Sequence, residues 1–219
     1  MHQINVGEDI MERNREIAAE NSEMLRRNRV VSVNIMSAPG AGKTSLLVSS
    51  LPRLMANHRV AVIEGDVQTT RDADRVSATG SEVFQIQTGG ACHLDAAMVH
   101  RALHQLDLEN IDLILIENVG NLVCPAEFEL GVDARVMLLS VTEGDDKPAK
   151  YPLMFLESSL LILNKIDIIE HVDFDIERAR NEAREINPDI EVMEVSCRTG
   201  EGIDNWVKWV GRLFEESGK

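Results

Sequence analysis

Basic residues are scarce in this chain of 219 residues: 22 Lys and Arg stand against 37 Asp and Glu, a formal charge of −15. An acid excess of that size repels polyanions and excludes nucleic acid and anionic membrane as the main partner. Long apolar runs are missing as well. No stretch approaches the roughly 18 uninterrupted apolar residues of a membrane span, and the start MHQINVGEDI lacks a basic-then-apolar secretory pattern. Cysteine is limited to Cys92, Cys124 and Cys197, an odd number that fits a reducing compartment better than a disulfide framework. A cytosolic protein is expected, with its thiols left for metal, nucleophilic chemistry or packing. Internal repeats, low-complexity tracts and an interdomain linker are also lacking.

What is present suits a folded globular chain, long enough for a stable enzyme. The 44% apolar and 27% charged shares are ordinary for a globular chain, which argues against disorder. At roughly 150 residues per domain the length suits one large α/β domain or two small ones. Residues 5–28 carry Ile10/Met11, Ile17/Ala18 and Met24/Leu25 at seven-residue spacing with charges between them, a narrow-striped amphipathic helix. Such a helix docks on its own domain or pairs with another subunit. From Val30 onward the β-branched runs VVSVNIM, RVAVIE, EVFQI, DLILIE, RVMLLSV, LLILN and IEVMEV alternate with helical patterns, notably at 43–57, 94–106, 173–187 and 202–215. Near-continuous apolar strands interleaved with helices predict an α/β fold with a mostly parallel sheet covered on both faces. The expected division is a helical extension over 1–29 and one domain over 30–219.

The first strand runs into Ser37-Ala38-Pro39-Gly40-Ala41-Gly42-Lys43-Thr44, followed by Ser45 and a helical run. Strand, glycine-bearing loop, Lys-Thr and helix are the parts of a P-loop NTPase. Gly40, Ala41 and Gly42 turn backbone N–H groups toward phosphate oxygens, and the helix N-terminus adds its dipole. Lys43 meets the β/γ-phosphates and the Thr44 hydroxyl is placed for Mg²⁺. Ser37 stands where the pattern expects Gly, which an ordinary backbone conformation there would permit.

Far downstream, the strand 160–163 ends in Asn164-Lys165-Ile166-Asp167, at the strand edge where α/β sheets bind ligands. The Asp167 carboxylate can accept from guanine N1–H and the 2-amino group together, a donor pair that adenine lacks, while Lys165 lies along the ring. Ser196-Cys197-Arg198-Thr199-Gly200 follows the next strand and resembles a second guanine-contacting loop, with Cys197 in a small-residue slot. Between these ends, Asp66 opens the polar stretch DVQTTRDADR, which reads as a mobile switch, and Glu117 begins Glu117-Asn118-Val119-Gly120. Glu117 is expected in the Mg²⁺ shell, Asp66 at the metal or the attacking water, and Gly120 at the γ-phosphate. Asp72 and Asp74 read better as members of a solvated loop.

Thr88-Gly89-Gly90-Ala91-Cys92-His93 leads into a helix, and Cys124 lies four residues beyond Gly120. Thiolate and imidazole suit Ni²⁺ or Zn²⁺. Three ligands are one short of a closed tetrahedral site, which points to water or to a second copy of the chain. Ordinary packing residues are the competing reading. His93, His100 and His104 would share one face of a helix beginning near 93, and without a nearby acid that trio reads better as a helix face than as a zinc site.

The P-loop, Glu-Asn-Val-Gly, Thr-Gly-Gly-x-Cys-His and Asn-Lys-Ile-Asp together resemble the HypB family of hydrogenase-maturation GTPases, which assist nickel insertion. The likeness covers about residues 30–210, and the run Glu117 to Pro125 is its most specific part. The urease accessory GTPase is similar in layout, but typically has Cys-Pro-His and Glu-Ser-Gly-Gly where this chain has Cys92-His93 and Glu117-Asn118-Val119-Gly120. The resemblance implies GTP hydrolysis and a metal site of Cys92, His93 and Cys124 at a GTP-promoted homodimer interface. It further implies a hydrogenase accessory metallochaperone and the hydrogenase large-subunit precursor as partners. The His-rich or Cys-rich N-terminal motifs of some members are absent before Val30, so no nickel-storage role is expected. The other reading is a GTPase that regulates a metalloenzyme of urease or cobalamin-mutase type without carrying metal.

Overall fold

The computed structural model describes residues 6–66 and 71–218. Seven strands form one sheet in which each pairing is parallel: β1 (Val31–Ser37), β2 (Val60–Asp66), β3 (Glu82–Gln87), β4 (Leu113–Glu117), β5 (Ala134–Ser140), β6 (Leu160–Asn164) and β7 (Glu191–Val195). Their order across the sheet is β3-β2-β4-β1-β5-β6-β7. The helices are α1 (Val6–Arg27), α2 (Lys43–Leu54), α3 (Arg71–Ser77), α4 (Ala96–Leu103), α5 (Cys124–Glu127), α6 (Lys147–Lys150), α7 (Pro152–Leu156), α8 (Ile176–Ile186) and α9 (Ile203–Ser217).

The strands are apolar along their length because both faces are covered, and their period of two sends alternate residues to different layers. Val31, Val33, Ile35, Leu113 and Leu115 meet α2 and α9, where Leu47, Leu51, Trp206 and Val210 are buried. Ile114 and Ile116 point the other way, toward Leu25 of α1 and Val99 of α4. Met137, Leu139, Leu161 and Leu163 meet α7 and α8 on that second side. Each fully buried aliphatic side chain contributes roughly 1.5–3 kcal/mol. Among the described residues no helix is long and apolar enough to cross a membrane.

Two expectations shift. The polar stretch after β2 is not irregular throughout, since α3 occupies Arg71–Ser77 and buries Val76 against the α2 layer. The helix expected from about 93 starts later: Asp95 caps it by accepting the Met98 N–H at 2.7 Å. His93 therefore lies outside the helix that carries His100, and His104 is its C-cap.

Candidate nucleotide and metal site

Parallel strands place all their C-terminal ends on one edge, and the candidate residues gather there. Gly40 and Gly42 adopt φ of +77° and +112°. A Cβ on Gly42 would lie 2.4 Å from Asn164 Nδ2, so glycine is demanded by conformation and by contact. Ser37 has no positive φ, and its Oγ accepts from Lys43 Nζ at 3.1 Å. A serine at that place thus fits the turn and gives Lys43 a partner.

Pro39, Gly40, Lys43, Thr44, Glu117 and Gly120 line a cavity of about 450 Å³ with Glu64, Asp72 and Arg75. The Thr44 hydroxyl donates to Glu117 Oε1 at 2.9 Å, while Glu117 Oε2 is buried without a partner. A hydroxyl beside a carboxylate with a spare oxygen is a hard-oxygen set that fits Mg²⁺. Burial holds the Lys43 ammonium below its usual pKa and pushes Glu117 up to about 7, with the Lys43 charge opposing the second shift. Gly120 packs on the phosphate loop: a Cβ there would stand 2.9 Å from Pro39 Cα. Asp66 ends β2, but its side chain and residues 67–70 of the expected switch lie outside the described residues. Ser45, the other polar residue at the start of α2, is 3.4 Å from the Arg75 guanidinium.

A second cavity, of about 300 Å³, is lined by Gly42, Ser45, Asn164, Lys165, Asp167 and Cys197, among others. Asn164 Nδ2 donates to Ala41 O at 2.8 Å and its Oδ1 accepts the Cys197 N–H at 3.4 Å, which ties this cavity to the phosphate loop. Lys165 takes a left-handed φ of +66° and donates from Nζ to Gly40 O. Ser196 Oγ donates to Asp167 Oδ1 at 2.6 Å, orienting the carboxylate. The Cys197 thiol is pushed up to about 11 by burial, so it stays protonated and unreactive.

The third group is Cys92, His93 and Cys124, whose ligand atoms all lie within 4.8 Å of one another. The sulfurs of Cys92 and Cys124 are 3.0 Å apart, and Cys92 Sγ is 3.6 Å from His93 Nδ1. His93 stacks on Phe128 with ring centroids 3.9 Å apart, and burial holds its pKa below the usual imidazole value, favouring the ligating neutral form. The Cys124 thiol is pushed up, chiefly by its hydrogen bond with Cys92. Two soft thiols and an imidazole make a donor set for Ni²⁺ or Zn²⁺.

The family model for the CobW/HypB/UreG nucleotide-binding domain matches residues 31–194. The probable hydrogenase maturation factor HypB of Methanocaldococcus jannaschii is 40% identical over 213 residues, 97% of this chain and 96% of that one. The chain belongs to the HypB family of hydrogenase maturation factors. HypB of Escherichia coli K12 is 46% identical over 92% of this chain and 70% of its own length. The solved HypB of Helicobacter pylori in complex with nickel superposes with a TM-score of 0.89 at 36% identity, covering 93% of this chain and 96% of that one. The Archaeoglobus fulgidus HypB structure gives 0.87 at 38% identity, over 93% and 99%.

Three residues of this HypB-family chain matter more than their sequence context suggests. Asn118 is buried and accepts the Leu94 N–H at 3.1 Å, joining the Glu117 turn to the Cys92–His93 loop. Asn121 donates its N–H to Ser37 O at 2.8 Å and accepts the Val123 and Cys124 N–H groups through Oδ1, joining the phosphate loop to Cys124. Glu64 is 2% exposed and lines the phosphate cavity. An acid inside the apolar run VAVIEG was the available signal for Glu64. His100 and His104 form no metal cluster among the described residues: their Nε2 atoms are 3.0 Å apart, and His100 Nδ1 is 2.8 Å from Asn21 Oδ1.

Proposed function

We propose that this chain is a GTP-hydrolysing metallochaperone that helps deliver nickel during hydrogenase maturation, with its nucleotide state coupled to a Cys92–His93–Cys124 metal site. The observation that carries the reading is the position of that cluster. Cys124 lies just beyond the Glu117–Gly120 turn, and Asn121 and Asn118 tie the two thiol-bearing loops to the phosphate loop and to that turn. A named relative, the hydrogenase/urease maturation factor HypB of Helicobacter pylori, is 38% identical over 93% of this chain and 85% of its own length.

In this reading residues 30–219 form the nucleotide-binding unit. Gly40, Ala41, Gly42, Lys43, Thr44 and Ser45 cradle the phosphates, Asp167 accepts from guanine, Lys165 covers the ring, and Ser196 and Cys197 close the base pocket. Thr44 and Glu117, with Asp66, would hold Mg²⁺, which would supply charge neutralisation for the phosphates. The γ-phosphate attracts the Gly120 N–H, and Asn121 passes that displacement to Cys124. Hydrolysis reverses it, which changes the distance between Cys124 and the Cys92–His93 pair. Cys92 is exposed and Val123 beside Cys124 is 51% exposed, so the cluster faces outward with coordination left open for a second copy of the chain. Hydrogenase accessory metallochaperone and large-subunit precursor are the partners this role requires, and the cytoplasm is the compartment.

One paired experiment tests both halves. Nickel titration and GTP turnover are measured on Cys124→Ala and Asp167→Asn. Cys124→Ala is expected to weaken nickel binding by about 100-fold or more while turnover stays close to wild type. Asp167→Asn is expected to raise the KM for GTP by at least about 100-fold and to favour xanthosine triphosphate, with nickel binding retained. Unchanged nickel affinity in the first or unchanged GTP preference in the second would overturn the corresponding half.

A further inference from the structure

Helix α1 carries two asparagines seven residues apart, two turns along one face, and both point into its packing interface. Asn14 is 6% exposed and Asn21 is fully buried. Asn14 Nδ2 donates to Glu129 O at 2.8 Å, and its Oδ1 accepts the Ala96 N–H at 2.9 Å. Asn21 Nδ2 donates to Ala96 O at 2.9 Å and to Leu130 O at 3.0 Å, and its Oδ1 faces His100 Nδ1. Because both Asn21 donors are used on carbonyls, its oxygen must accept from His100, which fixes the amide's orientation. Both backbone groups of Ala96 are therefore held by α1.

The two segments gripped in this way are the two that bear the thiols. Ala96 opens α4 directly after Cys92, His93, Leu94 and Asp95. Glu129 and Leu130 follow α5, which begins at Cys124. Gly131 continues the grip, since a Cβ there would sit 2.0 Å from Ala18 O, leaving α1 backbone against loop backbone. Apolar side chains would have glued α1 to α4 equally well, as Leu25 does in its cluster with Val99 and Leu103. Buried amides lose free energy unless every partner is in place, so their contribution is to position rather than adhesion.

We propose that Asn14 and Asn21 are positioning residues which set the separation of the Cys92–His93 loop and the Cys124 loop, making α1 a clamp across the thiol pair. The metal consequence rests on the nickel reading above, whereas the geometric consequence does not. Asn14→Ala, Asn21→Ala and a control, Leu25→Ala, are compared with wild type. Leu25 is buried on the same helix and makes none of these hydrogen bonds, so its loss lowers stability without releasing the clamp.

The direct readout is the effective concentration of Cys92 for Cys124, measured by equilibration with oxidised and reduced glutathione. In that reaction the two thiols are oxidised to one disulfide while one oxidised glutathione is reduced to two thiols. Asn14→Ala and Asn21→Ala are expected to lower it by about tenfold, and their nickel dissociation constant should rise about tenfold. Leu25→Ala should lower the melting temperature and leave both values at wild type. Wild-type thiol pairing in both asparagine variants, or an equal loss in Leu25→Ala, overturns the clamp. Should thiol pairing fall as expected while nickel binds none of the four proteins, the clamp stands and the nickel reading fails. If only Asn21→Ala fails to fold, Asn14→Ala decides alone.

Discussion

Glu117 concentrates the chemistry of the nucleotide edge in one side chain. Its carboxyl accepts from Thr44, keeps one buried oxygen unpartnered and faces a desolvated Lys43, so without nucleotide both groups are driven toward their neutral forms. With a folded pKa of about 7 against an ordinary 4.5, the native state holds the proton that the unfolded chain has lost. Nucleotide-free stability is therefore expected to fall as pH rises from about 4.5 to about 7, relative to Glu117→Gln, which cannot titrate there. Between pH 4 and pH 8 the stability difference between the two proteins should move in favour of the glutamine variant by about 3 kcal/mol. Urea midpoints across pH 4–8 check this, and parallel curves for the two proteins would contradict it. The candidate residues whose positions were legible from sequence are those set by local spacing. The glycines, Lys43, Thr44 and the Asn164–Asp167 run act through spacing along a few residues. Asn14, Asn21, Asn118 and Asn121 were not legible, because an asparagine acts through whatever backbone meets it in space.

At the scale of elements, the parallel strands declared themselves because burial on both faces removes polar residues from them. Helix starts were less visible: α4 begins where Asp95 caps it rather than where the apolar pattern begins, and this separates His93 from His100 and His104. The segment Arg71–Ser77 is helical despite its charge, and its Val76 packs into the core cluster under α2. Docking of α1 on its own domain was one of two readings of its stripe, and α1 packs against α4 and the loop at Gly131. That contact is close enough to test. Gly131 has φ of +82° and no room for a Cβ, so Gly131→Ala should cost about 2 kcal/mol or more through backbone strain and displacement of α1. Chemical denaturation measures the loss, and a change under about 0.5 kcal/mol, the ordinary range for a surface substitution, would show that α1 does not pack as described.

Across the whole molecule, the phosphate loop, the base cavity and the thiol cluster occupy one edge of one sheet and are joined by hydrogen bonds from Asn164 Nδ2 to Ala41 O, from Asn121 N–H to Ser37 O and from Leu94 N–H to Asn118 Oδ1. The acid excess of the chain fits a protein that meets cations and basic surfaces rather than polyanions. The odd cysteine count resolves into a facing pair and one half-buried thiol held protonated in the base cavity. What sequence could not supply was the chain of contacts between the phosphate loop and the thiol cluster, because it runs through asparagine side chains and backbone groups brought together by the fold. The central claim is that nucleotide state changes the metal site. Nickel affinity measured on the same protein with GDP·Mg²⁺ and with a non-hydrolysable GTP analogue tests it most directly, with the mass of each complex recorded alongside. The account predicts at least about tenfold tighter nickel binding in the GTP-analogue state, equivalent to about 1.4 kcal/mol of coupling, accompanied by a dimer; equal affinities in the two states would contradict it.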